Sequence, residues 1–115
     1  MAPVCRMSRL DDASFEESVR SATVPVLAHF VNGRCRDCGQ IEHPLMDILH
    51  WAADRVQCYC VDATTDPESA ARYAITCFPT VLLFRAGRVV RRFVGCPVCG
   101  ELDMALRMEL GPIRS

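Results

Sequence analysis

Lysine is absent from the 115 residues, and all 13 basic side chains are arginine. That absence removes Schiff-base chemistry and lysine acid–base catalysis. Surplus charge is missing too: 13 basic residues face 14 acidic ones, for a formal net charge of −1. Nucleic-acid binding needs a cationic excess that displaces counterions, so a nucleic-acid partner is not expected. No apolar run approaches the roughly 20 residues of a membrane helix, so no membrane partner is expected either. Linkers rich in glycine and serine, low-complexity tracts and internal repeats do not occur. Met1 to Leu10 lacks the apolar stretch of a secretory leader and carries two arginines without an acid. An intracellular, reducing setting is therefore expected, cytoplasmic or the mitochondrial matrix. The length suits a single domain over residues 1–115. Half of the residues are hydrophobic, which argues against disorder.

The punctuation of the chain predicts alternating elements. Asp11 and Asp12 precede a helix over 13–21, with Ser14 and Glu17 at capping-box spacing. Val24 to Val31 reads as a buried strand and Asn32-Gly33 as a turn. Apolar residues at Ile41, Leu45, Ile48, Leu49 and Ala52 predict a helix from Cys35 or Asp37 to about Ala53, kinked by Pro44. Val56 to Val61 alternates as a strand does, and Asp66-Pro67 opens a short helix to Tyr73. Ala86-Gly87 between two apolar runs signals a hairpin. Pro97 suits the first turn of a final helix to about Leu110. With a first strand within Val4–Leu10 the order is βαβαβαββα. That pattern implies an α/β fold with a mixed central sheet of about five strands flanked by about four helices.

Cysteine is abundant, at positions 5, 35, 38, 58, 60, 77, 96 and 99. Cys35-Arg36-Asp37-Cys38 follows a strand and a turn and opens a helix. Sulfurs three residues apart at a helix start fall on one side, within bridging reach. The positive end of the helix favours a thiolate at Cys35, as do Arg34 and Arg36, while Asp37 opposes them. A redox pair, a metal half-site and two inert buried thiols are all readings of this spacing.

The chain resembles the thioredoxin family over most of its length. Leu10 to Phe15 resembles that family's entry to its first helix, and Pro25 to Phe30 its second strand. Cys35–Cys38 falls at its active site, Ile75 to Thr80 resembles its cis-proline loop, and Phe93-Val94-Gly95 the end of its last strand. The resemblance implies that Cys35 attacks a disulfide, Cys38 resolves the mixed disulfide, and Pro79 is cis, leaving the Phe78 backbone free to pair with an extended chain. Without the resemblance, Pro79 reads as an ordinary trans proline opening a strand. Cys77, Phe78, Pro79 and Gly95, with Arg34, Arg36 and Asp37, would line the substrate groove.

Departures from the family pattern bear on function. Arg34 stands where the family has tryptophan before the first cysteine, and Arg36-Asp37 replaces Gly-Pro. Pro44 follows Cys38 by six residues instead of five, which calls for a local helix adjustment. His29 aligns with the family's buried acid and Cys58 with its buried lysine. His29 is therefore either a proton shuttle for Cys38 or a neutral, hydrogen-bonded core histidine. Trp51 lies late in the second helix as a packing residue. Cys58 and Cys60, two apart on one strand, are expected inward and inert, and Cys5 incidental.

Cys96-Pro97-Val98-Cys99 is a second CxxC at a strand-to-helix junction, a secondary redox pair in this reading. The resemblance puts Cys96 and Cys77 on the groove rim near Cys35, so a relay, a disulfide-linked dimer and a thiolate metal site are alternatives. Against metal, 57 residues separate the two pairs, far from the roughly 15–20 of zinc ribbons. No metal and no cofactor are expected. Arg85, Arg88, Arg91 and Arg92 make a basic hairpin that discourages edge-to-edge aggregation.

Two functions follow. One is a thiol–disulfide oxidoreductase with an atypical site and weak or narrow-substrate activity, acting on protein disulfides with a small-thiol or dithiol reductant. The other is a redox-regulated holdase that uses the same groove for unfolded polypeptides without general reductase activity.

Overall fold

The computed structural model describes residues 8–35, 38–95 and 99–111. Its elements run β1 (Ser8–Arg9), α1 (Phe15–Ser21), β2 (Val26–Val31), α2 (Glu42–Ala52), β3 (Gln57–Asp62), α3 (Pro67–Arg72), β4 (Thr80–Arg85), β5 (Arg88–Val94) and α4 (Cys99–Leu110). This is the expected alternation. The sheet order is β1-β3-β2-β4-β5. β1, β3 and β2 are parallel, while β4 and β5 run antiparallel to their neighbours.

β2 lies at the centre and every one of its residues is buried. It reads as a continuous apolar run because both of its faces are covered. Leu27 and Val31 face α2 and α4, packing with Ile41, Leu45, Ile48 and Leu106. Val26, Ala28 and Phe30 face α1 and α3, packing with Phe15, Val19, Ala70 and Phe84. The β4–β5 hairpin turns on Ala86 (φ 53°) and Gly87 (φ 80°). Two consecutive left-handed residues are what a two-residue turn of the primed kind requires, and only the second has no steric cost.

Local expectations change in three places. Ser14 and Glu17 form no capping box. Asp11 and Ser14 form the reciprocal pair instead: the Ser14 N–H donates to Asp11 Oδ1 at 2.8 Å and the Asp11 N–H to Ser14 Oγ at 3.3 Å. Pro44 does not kink a helix. Among the described residues a 3₁₀ turn spans Cys38–Ile41, and α2 starts only at Glu42. Pro44 thus sits in the first helical turn, where its missing N–H has no partner to lose. The 3₁₀ turn is the local adjustment that the extra residue calls for.

The third concerns α3, whose N-terminus is capped from far along the chain. Asp12 accepts the Ser69 N–H and hydroxyl, both at 2.8 Å, and the Glu68 N–H at 3.1 Å. The Asp12 N–H donates to Asp66 at 3.1 Å. These bonds tie the α1 entry to the segment that walls the cleft described next.

Candidate functional site

The loop after β2 carries the first cysteine and is fixed by its own turn chemistry. Asn32 Oδ1 accepts the Arg34 N–H at 3.0 Å, and the Asn32 carbonyl accepts the Cys35 N–H at 3.2 Å. The Gly33 N–H donates to Thr64 Oγ1 at 3.0 Å, pinning the loop to the segment after β3. Asn32-Gly33 announces this turn in the sequence; Thr64 gives no signal there.

Cys35 and Cys38 are joined by a disulfide with a Cα–Cα distance of 5.5 Å, within the usual range for a bridge. Cys35 is half-buried and Cys38 buried. Among the described residues Cys38–Ile41 form a 3₁₀ turn and the α-helix runs from Glu42, so the full α-helix dipole starts farther from Cys35 than the sequence suggests. Arg36 and Asp37, assigned to this site from sequence, lie outside the described residues. Arg34 is described and exposed.

The Phe78–Pro79 bond is cis, the conformation that the resemblance implies. Phe78 packs against both faces of the fold. The Gly95 N–H donates to the Pro79 carbonyl at 2.8 Å, bringing Gly95 beside the proline. The Thr80 hydroxyl donates to the Cys77 carbonyl at 2.6 Å. Cys77 is a free, exposed thiol. An open cleft of about 570 Å³ runs between these loops and α3. Arg34 and Phe78 line it with Ala63, Ala70, Ala71 and Ile75. The sequence reading missed this cleft; its only signal was the run of alanines in α3.

His29 points to the α2–α4 face of the sheet, between Cys60 on β3 and Val81 on β4 in the strand register. It is fully buried, and desolvation pushes its pKa from 6.5 down to about 4. Among the described residues neither ring nitrogen has a hydrogen-bond partner. The imidazole is therefore neutral at physiological pH, as one sequence reading holds, but it lacks the hydrogen bond which that reading supplied. The strand register sets the two cysteines of β3 along the same face. Cys58 lies opposite Leu27, and Cys60 lies opposite His29. Cys58 is a buried free thiol whose pKa is pushed up to about 12 by desolvation. Cys60 is disulfide-bonded, which corrects the expectation of two inert thiols on this strand.

Cys5 and Cys96 lie outside the described residues, and so does the side chain of Cys99, whose backbone opens α4. The structure therefore says nothing of the second CxxC. Trp51 is a packing residue, as expected: its indole donates to Asp103 on α4 at 2.6 Å, and Arg107 stacks on its ring at 4.1 Å from the centroid. Among the described residues, no three His, Cys, Asp or Glu side chains gather as metal ligands, and no helix is long and apolar enough to cross a membrane.

Comparison with known proteins agrees with this geometry. A family model for thioredoxin matches residues 6–107. A thioredoxin of Mycobacterium bovis is 33% identical over 87 residues, which cover 76% of this chain and 75% of the relative. A thioredoxin of Acidithiobacillus ferridurans is 33% identical over 101 residues, 88% of this chain and 94% of the relative. One of Alicyclobacillus acidocaldarius is 29% identical over 97 residues, 84% and 91% respectively. With these matches and the disulfide at the end of β2, the chain belongs to the thioredoxin family of thiol–disulfide oxidoreductases.

Proposed function

We propose that the protein exchanges electrons with protein disulfides through Cys35 and Cys38, slowly or on a narrow set of substrates. The observation that carries this reading is the Cys35–Cys38 disulfide, whose first cysteine directly follows Arg34, a residue that lines the open cleft. In the reduced protein the Cys35 thiolate attacks one sulfur of the substrate disulfide. That bond breaks, the second substrate sulfur leaves as a thiolate, and a mixed disulfide forms. Cys38 gives up its proton and attacks Cys35 Sγ, releasing the other substrate thiolate. The substrate has gained two electrons and the protein holds the Cys35–Cys38 disulfide. A small-thiol or dithiol reductant returns the two electrons.

His29 is the base we assign to the Cys38 proton, since both of its nitrogens are unpartnered. An imidazole held at a pKa of about 4 is a poor match to an ordinary thiol near 8.5. Full transfer is uphill by about 6 kcal/mol. This mismatch supports slow resolution. Cys77, Phe78, Pro79 and Gly95 would hold the extended substrate backbone, in an intracellular, reducing compartment.

Reduction of insulin by excess dithiothreitol tests the reading, with wild type and Cys35→Ser compared. Acceleration by wild type alone supports it. Equal rates with and without the protein would sink it. The apolar cleft favours one second reading, a holdase for unfolded chains, which predicts that aggregation is suppressed even after all cysteines are replaced.

A further inference from the structure

The cleft beside Cys35 carries a feature that disulfide exchange does not use. Its described walls are mostly apolar or small, with Asn32, Thr64 and Thr76 as polar members, and Arg34 is the single charged residue among the described residues that line it. Arg34 springs from a fixed point, because Asn32 holds its backbone N–H. Among the described residues no carboxylate pairs with its guanidinium, whereas Arg9, Arg20, Arg72, Arg85, Arg91 and Arg107 each face one. An exposed cation beside an apolar trough, next to the nucleophile, is the complement of a segment with an acidic and a large apolar side chain.

We propose that Arg34 is a specificity residue. It selects protein disulfides flanked by an acidic side chain, while an apolar side chain of the same segment fills the cleft over Ala70 and Phe78. The inference rests on the oxidoreductase reading for its setting, but its selection step is a binding step and can be read without turnover. The trough desolvates the apolar side chain and supplies affinity. The guanidinium adds discrimination on the order of a few fold, the scale of an exposed ion pair. A basic segment placed there would meet like charge.

The probe is a peptide with one disulfide, one phenylalanine and, at a fixed place, Glu, Gln or Arg. Fluorescent versions with serine in place of cysteine are titrated against the wild type, Arg34→Gln, Arg34→Glu and Ala71→Phe. Wild type should bind the Glu peptide about three- to fivefold tighter than the Gln peptide at low salt, and the difference should shrink at high salt. Arg34→Gln should erase the preference and Arg34→Glu should reverse it toward Arg. Ala71→Phe, at an exposed position on the cleft wall, should weaken all three peptides alike. Equal affinity for the three peptides, failure of the Glu peptide to bind at millimolar concentration, a preference that survives Arg34→Gln, or indifference to Ala71→Phe overturns the proposal. The disulfide versions then test the oxidoreductase reading separately, through turnover that depends on Cys35. Any change in thiolate population caused by Arg34→Gln scales the rates on all three peptides together and leaves their ratio to report selection.

Discussion

The buried imidazole of His29 makes a quantitative prediction. Its pKa is about 4 in the folded protein and near 6.5 once unfolded. Between these values the unfolded chain binds a proton that the folded chain refuses. Stability is therefore full above pH 6.5 and falls as pH drops toward 4. Integrating over one site gives a loss of about 1.2 kcal/mol from pH 7 to pH 5.5, and about 2.4 kcal/mol by pH 4.5. Replacing His29 by leucine removes this term and deletes two buried nitrogens that lack partners. Apolar replacement of an unsatisfied buried group is neutral or stabilising. The variant should match or exceed the wild type at pH 7 by up to about 1 kcal/mol, and the gap should widen as pH falls. The assay is urea unfolding of the oxidised forms at several pH values, taking the difference between the two proteins so that other titrating groups cancel. Parallel loss in wild type and variant would refute the reasoning, because the histidine would then titrate alike in both states. On the functional side, His29→Leu should slow insulin reduction, which separates a shuttle from an idle core residue.

Other tests are simpler. Asp12→Ala strips α3 of three hydrogen bonds and should cost about 1–2 kcal/mol in chemical denaturation; an unchanged midpoint would deny the long-range cap. Alkylation at about pH 8 should label Cys77 in the native protein and Cys58 only after unfolding, because desolvation pushes the Cys58 thiol up to about 12; mass mapping decides it. Ala86→Asn, at a left-handed position (φ 53°) that asparagine tolerates better than alanine, should raise stability by about 0.5–1 kcal/mol, read as a higher melting temperature.

The sequence announces what is local and misses what the fold assembles. Val24 to Val31 has no periodic break because both faces of β2 are covered, so its burial is legible. Ala86-Gly87 is legible because few residue pairs accept two left-handed conformations. Spacing alone leaves Cys35 and Cys38 open between a redox pair, a metal half-site and inert thiols, and the cis Pro79 is implied only by the resemblance to the thioredoxin family. Thr64 and Asp12 act across 31 and at least 54 residues of chain, and no window of sequence contains both partners. Pro44 misleads because its effect depends on where the helix starts. That Cys60, and not Cys58, stands directly opposite His29 is a matter of strand register, which alignment to a family pattern does not fix.

The clamp of Trp51 by Asp103 and Arg107 has a practical consequence. Trp51 lies 13 residues beyond Cys38 along the same helical segment, roughly 20 Å away at helical rise. Quenching by a disulfide needs near contact, so the emission of this tryptophan, the only one in the chain, should not change when Cys35 and Cys38 are reduced. It should change when α4 peels away from α2. In this protein intrinsic fluorescence is a gauge of helix docking, and the redox state must be followed by a probe on the sulfurs themselves.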